Sequence, residues 1–243
     1  MASTLRRRAR RVLAVVGLAA AMPAAWIAWN QAHGNFGVVQ PGRIYRSAQL
    51  SAPMLARTLR DYDVQTVLNL RGPNPELDWY RAERDATLAA GATQIDVALS
   101  SCIWMSRAQL HTLIRTLDAS RYPILIHCAW GSERTGLISA FGELLREGST
   151  LDDARAQLTV AHLYVPFGDG KIMGEMLDQY ASWLDAKGLS HHPEAFREWV
   201  ADGYKPGEPD REKWAWDPYP LIVVTRPEPE QTAALRSDGA GRR

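Results

Sequence analysis

An α/β fold, with a mostly parallel central sheet flanked by helices on both faces, is predicted by three features of this sequence. Short β-branched or aliphatic runs alternate with amphipathic helical stretches over most of the chain. Two of the runs, "VQTVLNLRG" and "YPILIHC", read as strands buried on both sides, as parallel strands between helical layers are. The 243 residues are 46% hydrophobic and 9% aromatic, which suits one catalytic domain with short extensions better than a disordered or fibrous chain.

The chain begins with Arg6, Arg7, Arg8, Arg10 and Arg11, followed by eighteen uncharged residues at 12–29, just long enough to span a bilayer. Residues 1–30 therefore read as a membrane anchor or a secretory signal, cleaved near Ala21 to Ala25 in the second case. The apolar run continues to Trp26, Ile27 and Trp29, and tryptophan is common at membrane interfaces, which favours retention. The arginines would then stay in the cytoplasm. In a bacterium that makes a single-pass inner-membrane protein with its catalytic domain on the periplasmic side, or a periplasmic protein if the signal is removed.

After a polar linker, "GRIYRSAQLS" predicts a short strand and turn, and "APMLARTLRDYD" a helix. The strand over "VQTVLNLRG" stops at Gly72 and Pro73, and a helix over "ELDWYRAERDATLAAG" ends at Gly91. Next come the alternating strand "ATQIDVALS", a helix over "SRAQLHTLIRTLDAS" capped by Ser106, and the strand "YPILIHC". Helices follow over "TGLISAFGELLREG", "TLDDARAQLTV" with Thr150 as cap, "GKIMGEMLDQYASWLDAKG" and "HPEAFREWVADGY". The domain is thus bounded at 31–205. Residues 206–243 form a proline- and charge-rich extension with "LIVV" as its one strand candidate and disorder expected after Arg226.

Formal net charge is +1, but without the five leading arginines the remainder carries 23 basic and 27 acidic residues. Such a body has no electrostatic footprint for nucleic acid. Only Cys102 and Cys128 occur, so this is no disulfide scaffold, although the two could pair in an oxidising compartment.

The stretch "HCAWGSERTG", residues 127–136, lies between a buried strand and a helix, an arrangement in which loop amides and a helix N-terminus converge on an anion. Ala129, Trp130, Gly131, Ser132, Glu133 and Arg134 would form that phosphate cradle. A thiol at its mouth sits in positive potential, so Cys128 should ionise near neutral pH and act as a nucleophile. Arg134 offers a planar fork for two oxygens of a phosphoryl group, which lysine could not match. Gly131 would allow the sharp turn and Gly136 close packing of helix on sheet. His127 reads as an orienting residue, and the Thr135 hydroxyl is placed to bond the sulfur and help it leave.

The full string at 127–135 resembles the signature of the cysteine-dependent protein tyrosine and dual-specificity phosphatases. "YRSAQL" at 45–50, "VLNLRG" at 67–72 and the late helix segment "YASWL" extend the resemblance to the bacterial atypical dual-specificity-like branch, over roughly residues 36–203. The resemblance implies hydrolysis of phosphate monoesters through a phosphocysteine, with no cofactor or metal. It also implies a general acid, for which two candidates stay open. Asp96 lies 32 positions before Cys128, near the spacing of the family's usual aspartate, but inside a strand. Glu133 lies in the loop itself, where some phosphoinositide phosphatases and bacterial relatives carry an aspartate. Substrates in keeping with this are phosphotyrosine or phosphoserine/threonine proteins, phosphoinositides or inositol phosphates. A non-catalytic phosphate-binding module and a rhodanese-like sulfurtransferase are the alternatives. Arg71 could line the pocket or pair with Glu83, Asp169 and Lys171 could touch substrate, and His111 reads as a surface residue. His162, His191 and His192 lack the company of metal ligands.

Overall fold

The computed structural model describes residues 17, 19, 21–208 and 222–227. A six-stranded sheet runs through it in the order β1-β2-β5-β3-β4-β6. Its strands are β1 (Gly37–Gln40), β2 (Ile44–Ser47), β3 (Thr66–Asn69), β4 (Thr93–Val97), β5 (Ile124–His127) and β6 (Ile222–Thr225). The four central strands are parallel, whereas β1 and β6 pair antiparallel at the edges. The sheet is therefore mixed rather than mostly parallel. A short turn at residues 41–43 folds β1 straight back on β2, which no parallel pair allows. At the other edge β6 is the "LIVV" strand candidate, laid against β4 with Val223 opposite Asp96.

Strand alternation sorts the core into two layers. Ile44, Leu68, Ile124 and Ile126 face one way, into the large cluster with α4 (Arg107–Ala119), α5 (Glu133–Leu144), α7 (Ile172–Lys187) and α8 (Pro193–Glu198). Their neighbours Tyr45, Val67 and Leu125 face the other, toward Leu55 and Leu59 of α2 (Ala52–Asp61) and Ala86 of α3 (Asp78–Ala89). Both faces are covered, as the sequence predicts. Helix α5 is buried from Thr135 to Leu144 and has no exposed side, as a helix running through the middle of the layer must.

The expected caps form at Ser106 and Thr150, each as a reciprocal capping box. The helix expected over 150–160 is shorter: α6 (Leu151–Arg155) gives way to a 3₁₀ turn at Val160–His162. Upstream, residues 21–32 form a helix, α1, ahead of β1. Residues 12–16, 18 and 20 of the expected anchor lie outside the described residues, among which no helix is long and apolar enough to cross a membrane. The disorder expected near the C-terminus likewise falls on residues 228–243, outside the described set.

Candidate active site

Strand β5 lies between β2 and β3, so the loop that leaves its carboxyl end opens at the middle of the sheet. Crevices at the carboxyl ends of parallel strands are where such folds bind ligands. Residues 128–132 occupy that crevice and lead into α5. Gly131 turns the loop with φ of 68°, and a Cβ there would stand 2.6 Å from the Ala48 nitrogen. Only glycine meets both conditions.

The direction of the loop amides follows from what holds its carbonyls. The Ala129 carbonyl accepts from the Gln49 amide at 3.2 Å. The Trp130 carbonyl accepts from Asn35 Nδ2 at 2.9 Å, and the Gly131 carbonyl from Arg46 Nη2 at 2.8 Å. In a trans peptide the next N–H points opposite to the carbonyl. With three successive carbonyls pinned outward, the amides of Trp130, Gly131 and Ser132 turn inward together. Ser132 makes no side-chain cap on α5, because its hydroxyl donates to the Leu163 carbonyl at 2.9 Å. The first amides of α5 are thus left for an anion.

Cys128 lies at the bottom of this ring and is 1% exposed. Burial pushes its thiol up, but the Arg134 guanidinium, the hydroxyl and amide of Thr135 and the Trp130 amide outweigh burial and hold it below the ordinary cysteine value. Arg134 is steered from the far side, since its Nη1 donates to the Leu70 and Leu99 carbonyls, each at 3.2 Å. Its buried Nε has no partner, so that edge of the fork remains for an oxyanion. Arg46, fully buried, also donates to the Gln157 carbonyl at 2.6 Å; burial lowers its pKa to about 10, against the pull of the nearby thiolate. It remains a cation at neutral pH and adds to the positive potential behind the loop.

His127 and Glu83 form a buried ion pair under the loop, with Nε2 of the imidazole 3.3 Å from Oε1 of the carboxylate. Burial alone would lower the histidine, yet Glu83 and the thiolate raise it above 6.5. Burial alone would raise Glu83, yet His127, Gln49 and Gln94 bring it below the usual carboxylate range. His127 is thus held by a carboxylate from α3 as well as by the Cys128 backbone at the start of the loop. Arg71 reaches the same carboxylate indirectly. Its Nη1 donates to Gln49 Oε1 at 3.0 Å, Gln49 donates to Glu83, and the guanidinium lies 3.6 Å over the Trp79 ring.

The two acid candidates lie in different surroundings. Asp96 is fully buried, and its carboxylate accepts from Tyr80 at 2.6 Å, Asn69 at 2.8 Å and Gln94 at 3.1 Å. Burial raises its pKa, with the three donors opposing. Its oxygens are thus engaged by three side-chain donors away from solvent. In a strand covered on both faces, every side chain is enclosed whichever way it points. Glu133, by contrast, is half-buried at the start of α5, with its Cγ where a Cβ on Gly170 would fall.

The remaining residues fall outside the cradle. Lys171 pairs with Glu175 at 2.9 Å, and His111 is exposed. His191 meets the Tyr180 hydroxyl at 2.8 Å, His192 caps α8, and burial beside Arg46 lowers His162 to about 4. Among the described residues no cluster of three His, Cys, Asp or Glu could hold a metal ion. Cys102 is exposed and both cysteines are free, so the pairing considered from the sequence is not formed. Asn35, Arg46 and Gln49 are positioning residues that sequence reasoning gave no role, and Glu83, weighed there only as a partner for Arg71, holds His127. Two of them, Arg46 and Gln49, lie in the segment "YRSAQL", whose recurrence in the family was the one available signal.

A model of the tyrosine phosphatase family matches residues 30–146, the span from the end of α1 to just beyond α5. Among solved structures, Pseudomonas aeruginosa TpbA in complex with pTyr is 20% identical, covering 69% of this chain and 96% of its own, with a TM-score of 0.43. PTPMT1 is 14% identical, covering 62% and 99%, also at 0.43. No curated protein sequence matches. The matched segment, a little under half of the chain, contains the whole cysteine loop.

Proposed function

We propose that the chain hydrolyses phosphate monoesters in two steps at Cys128. The observation that carries this reading is the buried thiol, lowered in pKa by Arg134 and ringed by inward amides. In the first step the thiolate attacks phosphorus, the S–P bond forms and the P–O bond to the leaving group breaks. The loop amides and the free edge of Arg134 hold the three equatorial oxygens as the group flattens. Glu133 protonates the leaving oxygen. It is preferred to Asp96 because it borders the cradle, whereas Asp96 is closed off by three donors. In the second step Glu133 takes a proton from water, the water oxygen bonds phosphorus, and the Cys128 thiolate departs with the Thr135 hydroxyl bonded to it. Phosphate and an alcohol are the products. Glu83 keeps His127 in place and charged beneath the loop.

Phosphorylated protein side chains and lipid or inositol phosphates all fit this chemistry. The five arginines ahead of the uncharged run at 12–29 support a place at the bacterial inner membrane, with residues 31–205 on the periplasmic side. Neither a rhodanese-like sulfur transfer nor a binding-only module uses the three groups Cys128, Arg134 and Thr135 together. Release of p-nitrophenol from its phosphate ester by the reduced full-length chain tests the reading. Cys128→Ser should lower that rate by roughly 10⁴-fold or more. Equal rates in the two proteins, or no release between pH 5 and 8, would overturn it.

A further inference from the structure

Beside the cradle lies a second concavity of about 460 Å³. Trp26 and Ile27 of α1 form one wall, and Val160, Leu163 and Val165 the other. Its floor is shared with the catalytic loop through Trp130, Ser132 and Glu133. Among the described residues no lysine or arginine lines it. The apolar side chains around it are uncovered to a degree unusual for their types: Trp26 is 47% exposed, Trp130 57% and Val160 62%. Phe167 is 70% exposed and stands three residues before Gly170, which packs on Glu133.

We propose that this groove takes the hydrocarbon of a lipid whose headgroup ends in a single phosphate, so that the substrate is a lipid phosphomonoester presented at a membrane surface. The inference rests on the phosphatase reading and names its substrate class. Three observations argue for this occupant. First, groove and cradle share residues, so a molecule with its phosphate over Cys128 has its remainder directed along the apolar walls. Second, a headgroup with further phosphates would need cations in the groove, and among the described residues none line it; Glu133, the one ionisable side chain lining it among those residues, repels extra negative charge. A phosphopeptide would in turn need donors and acceptors for its backbone, whereas the two walls are almost wholly hydrocarbon. Third, the wall formed by α1 is continuous in sequence with the uncharged run at 12–29, and its tryptophans are the residue type that settles at the lipid–water boundary. One apolar face would thus bring the cradle to the membrane and receive the chain of the lipid.

The full-length reduced protein is assayed for phosphate release from glycerol 3-phosphate, dibutyryl phosphatidic acid and dihexanoyl phosphatidic acid, each kept monomeric, and from a phosphotyrosine peptide. Each methylene buried adds up to roughly fourfold to kcat/KM, so at least a tenfold rise from glycerol 3-phosphate to the dihexanoyl lipid is expected. Val160→Asp or Ile27→Asp should remove most of that rise and leave turnover of p-nitrophenyl phosphate within twofold. A flat chain-length profile, a rise that survives both substitutions, or a phosphotyrosine peptide preferred tenfold over the dihexanoyl lipid overturns the lipid assignment. If p-nitrophenyl phosphate is itself not turned over, the phosphatase reading fails instead, and the two failures are told apart.

Discussion

The two sides of the cradle are built on opposite principles. On the side of α3 and β4, Arg71, Gln49, Glu83, His127, Gln94 and Asp96 form one connected polar network in which the central carboxylate, at Glu83, has three partners. On the side of α1 and residues 160–165 the lining is hydrocarbon, and much of it faces outward. Directional bonds fix one arrangement, which a reactive thiolate and an anion cradle require. Apolar contact is tolerant of shape, which suits the part of a substrate that varies. The difference teaches that directional bonds fix the geometry beneath the loop, while the surface beside it is left free of such bonds and, on our proposal, selects the rest of the substrate.

The comparison can be broken from either side. The largest effect after loss of the thiol itself is expected at Arg134. Replacement by lysine should reduce kcat/KM for p-nitrophenyl phosphate by about 10²–10³-fold, because a point charge cannot grip two oxygens in one plane. On the polar side, Glu83→Gln should destabilise the fold by about 3 kcal/mol, since it leaves a buried imidazolium without its counter-charge. Thermal unfolding across pH reads this directly. The lowered Glu83 contributes stability that is present above its unfolded value and lost on acidification through its folded value. His127, raised above 6.5, contributes stability that is full below 6.5 and lost as pH rises through its folded value. Wild-type protein should therefore show a stability maximum between these limits that Glu83→Gln lacks; an unchanged pH profile would mean the pair is not charged.

A smaller effect separates the two acid candidates. Glu133→Gln should slow phenyl phosphate by about 10²-fold and p-nitrophenyl phosphate, whose leaving group needs no proton, far less. Asp96→Asn should slow both substrates alike, through the network it supports. If Asp96→Asn rather than Glu133→Gln shows the leaving-group dependence, the assignment of the acid is reversed. Smallest of all is the effect of Val160→Asp on p-nitrophenyl phosphate, expected to lie within twofold.

Much of the fold was legible. The alternation that places Val67 with one layer and Leu68 with the other is written in the strand itself, and the caps at Ser106 and Thr150 follow from local hydrogen bonding. The antiparallel edges were not legible, because edge pairing depends on which strand happens to lie alongside. The loop at 127–135 was readable as a unit because its bonds are local. Glu83 lies 44 positions before His127, and nothing in its helix marks it as the partner of that imidazole. The burial of Asp96 could not be read from its 32-residue spacing to Cys128, since distance along the chain carries no information about enclosure.

From its sequence alone this protein has a thiol, a guanidinium and a glycine turn at fixed spacing between a strand and a helix, because neighbours in sequence remain neighbours in space. Only the tertiary structure decides which carboxylate meets the histidine, which polar groups pin the loop carbonyls outward, and where hydrocarbon borders the cradle. Those pairings bring together Asn35, Arg46, Glu83 and the loop at 128–132 from separate elements, and the free energy of packing the two layers, rather than any local preference, sets them side by side.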